Sequence, residues 1–206
     1  MKWRPSQLGK LMTNSRSKSE VLSETAKAEI RKIAKQDFYG YSSEIKTKPM
    51  IKGTDWEQDG IDLLNEVRFT KYAKNKLRLE NELMTGCCDI LLDDLIIDIK
   101  SSWSLETFPA TPDEGENSDY EWQGRAYMWL YDRPSFELIY TMYDTHDDLL
   151  TPWDNLSIHK VKHIDPAKRI TVIRYERDEQ YEDLIKERLI HCSEYYSQYV
   201  NILNNK

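Results

Sequence analysis

Cysteine is scarce in this 206-residue sequence: only Cys87, Cys88 and Cys192. An odd count with two residues adjacent does not describe a disulfide framework, so a reducing, cytoplasmic setting is expected. Three thiols are also too few for a four-cysteine iron–sulfur cluster. Long apolar runs are missing as well. None approaches the ~20 residues that a membrane-spanning helix needs. Residues 1–20 carry Lys2, Arg4, Lys10, Arg16 and Lys18 without the apolar core of a secretory signal. Glycine and proline number seven each, and they gather into no linker. No internal repeat or low-complexity tract is present.

What the sequence does have is charge. With 32% charged and 39% hydrophobic residues the composition is that of a globular chain. Its length suits one domain with a real core. The net charge of −7 argues against a polyanionic partner, but its distribution does not. Residues 1–52 hold 12 Lys/Arg against five Asp/Glu, a local balance of +7 that leaves −14 for the rest. Such a split suggests that the N-terminal part meets an anion.

Periodicity outlines the elements. "RPSQLGKLM" reads as a short helix with Ser6 as N-cap after Pro5. "SETAKAEIRKIAKQ" reads as an amphipathic helix, and "GTDWEQDGIDLLNEV" as a third, with Gly60 against it. The period then switches to two. "LRLENEL" alternates like a strand, and "CCDILL" and "LIIDIK" flank Asp93-Asp94 like the arms of a hairpin. A buried helix is expected in "SDYEWQGRAYMWLYD". Strands are expected in "FELIYTMY", "HKVKHI" and "ITVIRYE", and a long helix from Asp178 to Asn205. The order predicts one α/β (α+β) domain with a central mixed β-sheet flanked by helices.

The hairpin carries the chemistry. A two-residue turn pairs Leu92 with Leu95, and the same register sets Asp89 opposite Asp98, with Cβ atoms about 4.5–5.5 Å apart. Lys100 projects from the same face as Asp98. Ile96, Ile97 and Ile99 make both faces of this strand apolar, as in a central strand. Two facing carboxylates in such a setting need a proton or a cation. Mg²⁺ fits, because it takes oxygen ligands and typically one or two carboxylates with waters and phosphate.

The D-x8-D-x-K of Asp89, Asp98 and Lys100 resembles the signature of the PD-(D/E)XK nuclease superfamily. "GTDWE" (53–57) is similar to the glutamate-bearing helix before the hairpin in the phage lambda exonuclease and YqaJ-like viral recombinase family. "WQGRAYMW" (122–129) is similar to the glutamine-bearing helix after it, in that family and in RecB-type nucleases. "ITVIRYERDEQYEDLIKE" resembles their last strand and C-terminal helix. Cys87-Cys88 stand where the signature has proline, and Asp98 stands where it often has glutamate.

The resemblance implies a restriction-endonuclease-like core within a single 1–206 nuclease domain. Residues 1–52 would be its basic helical part, 53–142 its catalytic core and 143–206 its C-terminal strands and helix. It implies Mg²⁺, with Mn²⁺ able to substitute, on Asp89, Asp98, the Ile99 backbone carbonyl and Glu57, with Lys100 catalytic. Gln123 would contact DNA or brace the site. Ser6 with Arg4 or Arg16 would serve a 5′-phosphate pocket. The expected activity is metal-dependent exonucleolytic hydrolysis of linear double-stranded DNA in the 5′–3′ sense. The expected setting is phage recombination in a bacterial cytoplasm, with a single-strand annealing protein as partner and a ring-like homo-oligomer, a trimer among the options. A restriction or repair endonuclease and a non-catalytic DNA-binding protein are the alternatives. Tyr127, the His159/His163 pair, the acidic loop around His146, Trp103 and the tyrosines at 195, 196 and 199 read as structural or surface features.

Overall fold

In a computed structural model, residues 1–42 and 46–205 are described. A 3-10 turn at Pro5–Gln7 leads into α1 (Leu8–Leu11), then α2 (Glu24–Tyr39), α3 (Lys48–Asp55) and α4 (Glu57–Arg68). Next come β1 (Leu79–Glu80), β2 (Thr85–Gly86), β3 (Ile90–Leu91) and β4 (Leu95–Ser101). The chain continues with α5 (Pro112–Gly115), α6 (Ser118–Tyr131), β5 (Ser135–Thr141), α7 (Leu156–His159), β6 (Ile170–Glu176) and α8 (Glu179–Asn204). Among the described residues no helix is long and apolar enough to cross a membrane.

The main sheet has the order β3-β4-β5-β6. β3 runs antiparallel to β4, β4 parallel to β5, and β6 antiparallel to β5. The sheet is therefore mixed, as the element order implies. Its two faces sort by residue parity on β4, because successive side chains alternate. Ile97 and Ile99 pack with Ile61 and Leu64 of α4. Ile96 packs with Phe136, Leu138 and the α6 residues Ala126 and Tyr127. Asp98 and Lys100 share the parity of Ile96, so the fold aims them at α6.

Two glycines set the helices close to the sheet. A Cβ on Gly60 would lie 2.9 Å from Thr141 Oγ1 and 3.0 Å from Ile99 Cγ2. A Cβ on Gly124 would lie 2.2 Å from Phe136 Cδ1. Gly60, which weakens the helical pattern locally, is thus required by packing. Ser23 caps α2 by accepting from the Ala26 N–H, and Asn117 caps α6 by accepting from those of Asp119 and Tyr120. The chain ends meet. Trp3 is fully buried, bridges to Met84, donates its indole N–H to Ser193 Oγ at 3.0 Å and meets Tyr196 edge-on.

Several expected elements differ. Ser6 is no N-cap: it lies inside the 3-10 turn, where Gln7 Oε1 accepts the Arg4 N–H at 2.7 Å. The single helix expected over 53–67 is broken at Trp56, which leaves helical geometry (φ −121°, ψ 28°) and stacks on His146 at 4.2 Å. "LRLENEL" forms only the two-residue β1, because Asn81 turns the chain by accepting from the Leu83 and Met84 N–H groups. "HKVKHI" is no strand. His159 closes α7, and Asp144 Oδ1 accepts the next free amides, those of Val161 and Lys162.

Candidate active site

The hairpin register is the one the turn dictates: Ile90 pairs with Ile97, Leu91 with Ile96, and the Leu92 N–H donates to the Leu95 carbonyl. The ladder stops there, and Asp89 begins the site. Its main-chain carbonyl accepts from Asn75, while its Oδ2 accepts the Ile99 N–H at 2.7 Å. A strand residue's N–H and C=O point to the same side. The Ile99 carbonyl therefore projects from the strand edge that Asp89 occupies.

Asp98 is buried on β4. Its Oδ1 accepts from Gln123 Nε2 at 3.0 Å, and its Oδ2 lies 2.6 Å from Lys100 Nζ. Beyond that ion pair Oδ2 has no further partner among the described residues, and it keeps lone-pair capacity. Lys100 Nζ also reaches Gln123 Oε1 at 3.4 Å and stands 4.6 Å above the ring of Tyr120. Gln123 is buried rather than on a helix surface, and it touches both charges at once. Glu57, the first residue of α4, accepts from Lys74 Nζ at Oε2, whereas its buried Oε1 has no hydrogen-bond partner among the described residues.

Titration follows from this crowding. Burial, then the negative charges of Asp98 and Glu57, push the Asp89 carboxyl well above the ordinary carboxylate range. Burial works against the Lys100 ammonium, but Asp98 and Asp89 outweigh it and hold it above the usual lysine value. Burial, followed by Asp98 and Asp89, also drives the Tyr127 phenol upward; its OH donates to the Cys87 carbonyl at 3.0 Å.

The donor set suits a hard cation. Asp89, Asp98 and the Glu57 Oε1 orphan offer oxygen only, and the raised Asp89 carboxyl marks excess negative charge. Among the described residues no three His, Cys, Asp or Glu side chains are grouped so that they could hold a metal ion by themselves.

The structure thus joins Asp89, Asp98, Lys100 and Gln123, with Glu57 at the margin. Ser6 and Arg4 stay on the N-terminal turn, whose Pro5 packs near Gly86 and Tyr127, and Arg16 lies in the loop before α2. No hydrogen bond or ion pair links these three to the carboxylates among the described residues. Tyr120, Lys74 and Asn75 are participants that sequence reasoning misses. Tyr120 had a signal, standing three residues before Gln123 and hence on the same helix face. His159 is buried, with Nδ1 3.2 Å from Thr145 Oγ1, while His163 is exposed, so the pair does not converge. The acidic loop is bonded rather than merely solvated: His146 Nε2 lies 2.9 Å from Asp59 Oδ2, and Asp147 pairs with Lys160.

Solved structures resemble the whole chain. A phage-related exonuclease from Haemophilus somnus superposes with a TM-score of 0.92 at 32% identity, over 98% of this chain and 96% of its own. An alkaline exonuclease (LHK-Exo) from Laribacter hongkongensis gives 0.71 at 16% identity, over 99% and 92%. Its complex with dAMP gives 0.70 at 15%, over the same shares. These last two share the fold. No family model and no curated protein matches the chain. With the restriction-endonuclease-like sheet in place and 32% identity along nearly all of its length, the chain belongs to the lambda exonuclease/YqaJ-like family of phage-related exonucleases.

Proposed function

We propose that the protein is a Mg²⁺-dependent exodeoxyribonuclease acting on linear double-stranded DNA from its ends, in the 5′–3′ sense, with Mn²⁺ able to replace Mg²⁺. The observation that carries this reading is the convergence of Asp89, Asp98 and Lys100 around Gln123, in a chain whose 32%-identical relative is a phage-related exonuclease. Asp89, Asp98 and the Ile99 carbonyl would hold the cation, with Glu57 as an outer or direct ligand. Bound there, the ion would supply Lewis acidity toward a phosphate oxygen.

The chain's own residues do the rest. Lys100, charged and held over the Tyr120 face, orients the attacking water and stabilises negative charge building on the phosphate. Gln123 fixes Asp98 and Lys100 in one arrangement, as outer-shell partners do. Asp89 anchors the Ile99 peptide and so sets the direction of its carbonyl.

The test compares 5′-phosphorylated linear duplex, 5′-hydroxyl linear duplex and closed circular DNA, with Mg²⁺ and with EDTA. Loss of linear DNA alone, fastest with the 5′ phosphate and abolished by EDTA, is the expected result. Cutting of circles would establish the endonuclease alternative. No hydrolysis with Mg²⁺ or Mn²⁺ would leave only a DNA-binding role.

A further inference from the structure

Between α4 and β1 the chain runs as an extended strap past the site. The sequence from Arg68 to Arg78, "RFTKYAKNKLR", carries five bases and no acid, in a protein of net charge −7. Residues 70–78 adopt neither helix nor strand. Their backbone is nonetheless fixed at short intervals. Tyr72 N–H donates to Asn65 Oδ1 at 2.7 Å, Asn75 N–H to the Asp89 carbonyl at 2.6 Å, and Tyr131 OH to the Leu77 carbonyl at 2.6 Å. Asn75 Nδ2 also donates to the Cys88 carbonyl at 3.2 Å.

Between these anchors the bases face outward. Arg68 is paired with Glu137 and Lys74 with Glu57. Lys71, Lys76 and Arg78 are exposed and, among the described residues, have no hydrogen bond or ion pair. Lys76 directly follows the residue bonded to Asp89. The N-terminal part, which looks the more basic in sequence, differs. There Lys10 pairs with Glu29, Lys27 with Glu20 and Glu24, Arg31 with Glu24, and Lys52 is buried, while the bases left exposed, such as Lys18, Lys32 and Lys35, have no bond among the described residues that ties their segment to Asp89 or Glu57.

We propose that the 71–78 strap is the track for the DNA backbone beside the scissile phosphate, with Lys71, Lys76 and Arg78 each meeting a phosphate. This rests on the nuclease reading above and names the surface that delivers substrate to that site. A pinned backbone presents the charges already ordered, so little is lost in ordering them on binding. Phosphate contacts release counterions, which makes each one countable from salt dependence.

The experiment measures binding of a linear duplex by the full chain in EDTA across a salt series. Lys71→Gln/Lys76→Gln/Arg78→Gln is compared with Lys18→Gln/Lys32→Gln/Lys35→Gln, which removes the same charge from exposed N-terminal positions. The strap variant is expected to flatten the slope of log K against log salt by about 2.7, at 0.9 per contact. The N-terminal variant should keep the wild-type slope. An unchanged slope in the strap variant, or equal loss in both variants, overturns the proposal. Wild-type protein that binds through the strap but hydrolyses nothing once Mg²⁺ or Mn²⁺ replaces the EDTA would instead sink the nuclease reading and leave the strap standing.

Discussion

Lys100 keeps its proton because the two aspartates outweigh its burial. A charged lysine suits the stabilisation of a phosphate in flight, and that separates its role from those of its neighbours. Lys100→Ala should lower turnover by roughly 10²–10³-fold while leaving divalent-ion affinity within a few-fold, read by single-turnover hydrolysis and calorimetry. Equal losses in both would assign Lys100 to the cation site. Asp98→Ala should abolish hydrolysis but leave duplex binding nearly intact in a gel-shift assay; retained cleavage would remove Asp98 from the site.

Asp89 supplies a pH signature. Its native carboxyl holds a proton more tightly than it does in the unfolded chain, where it titrates near about 4. The native state then binds more protons from that pH up through the raised native value, so stability falls as pH rises across the window. In EDTA the urea midpoint should drop with rising pH, Mg²⁺ should restore it, and Asp89→Asn should flatten the slope. A slope unchanged in Asp89→Asn would place the effect elsewhere. Residue identities were readable here because a charged pair in an apolar run needs a reason to exist. Tyr120 was not readable, because an aromatic residue on a helix face has many ordinary uses.

At the scale of elements, the hairpin is the most legible part of the fold. A two-residue turn and a period of two leave little freedom in register, so the sequence alone aligns Ile90 with Ile97. Elements shaped by distant partners are not legible. Trp56 breaks a helix because His146, ninety residues on, offers its ring a stacking partner. Lys52 on α3 looks like part of a basic surface. Instead it is fully buried, and its Nζ donates to the carbonyls of Ser102 (2.7 Å) and Tyr143 (3.0 Å), to Thr145 Oγ1 (3.0 Å) and to the Trp103 carbonyl (3.3 Å). Burial lowers this ammonium to about 8, while Asp144 and Asp59 pull it back up. The lysine ties α3 to the segments leaving β4 and β5. Lys52→Met would leave those acceptors without their donor and should cost about 3 kcal/mol. A denaturant midpoint equal to wild type would show that water replaces the lysine there.

For the whole molecule, composition locates charge only along the chain, not in space. The +7 of residues 1–52 already counts Glu20, Glu24 and Glu29, so their ion pairs leave that sum unchanged; what the fold takes from it is Lys52, which is buried, and Lys2, which pairs with Glu80. The acid-free strap differs in position rather than in exposure, and only the fold brings it beside Asp89. Trp3 is equally invisible as a global residue: it touches β2's approach and α8 together. Trp3→Ala should cost about 3–5 kcal/mol and lower the melting temperature in a scan; a change under about 1 kcal/mol would show that the N-terminal turn is peripheral.

The meeting of Trp3 with Ser193 also sets an order in time. In a chain made from its N-terminus that indole N–H donates to water until 190 further residues have been added. The sheet around β4 and β5, and the seat of the N-terminal turn on the β2 approach and α6, can assemble first, but the indole's partner comes only with α8. That closure is a contact of very high sequence separation, the kind that slows folding most. The catalytic hairpin, which pairs residues close in sequence, carries no such delay.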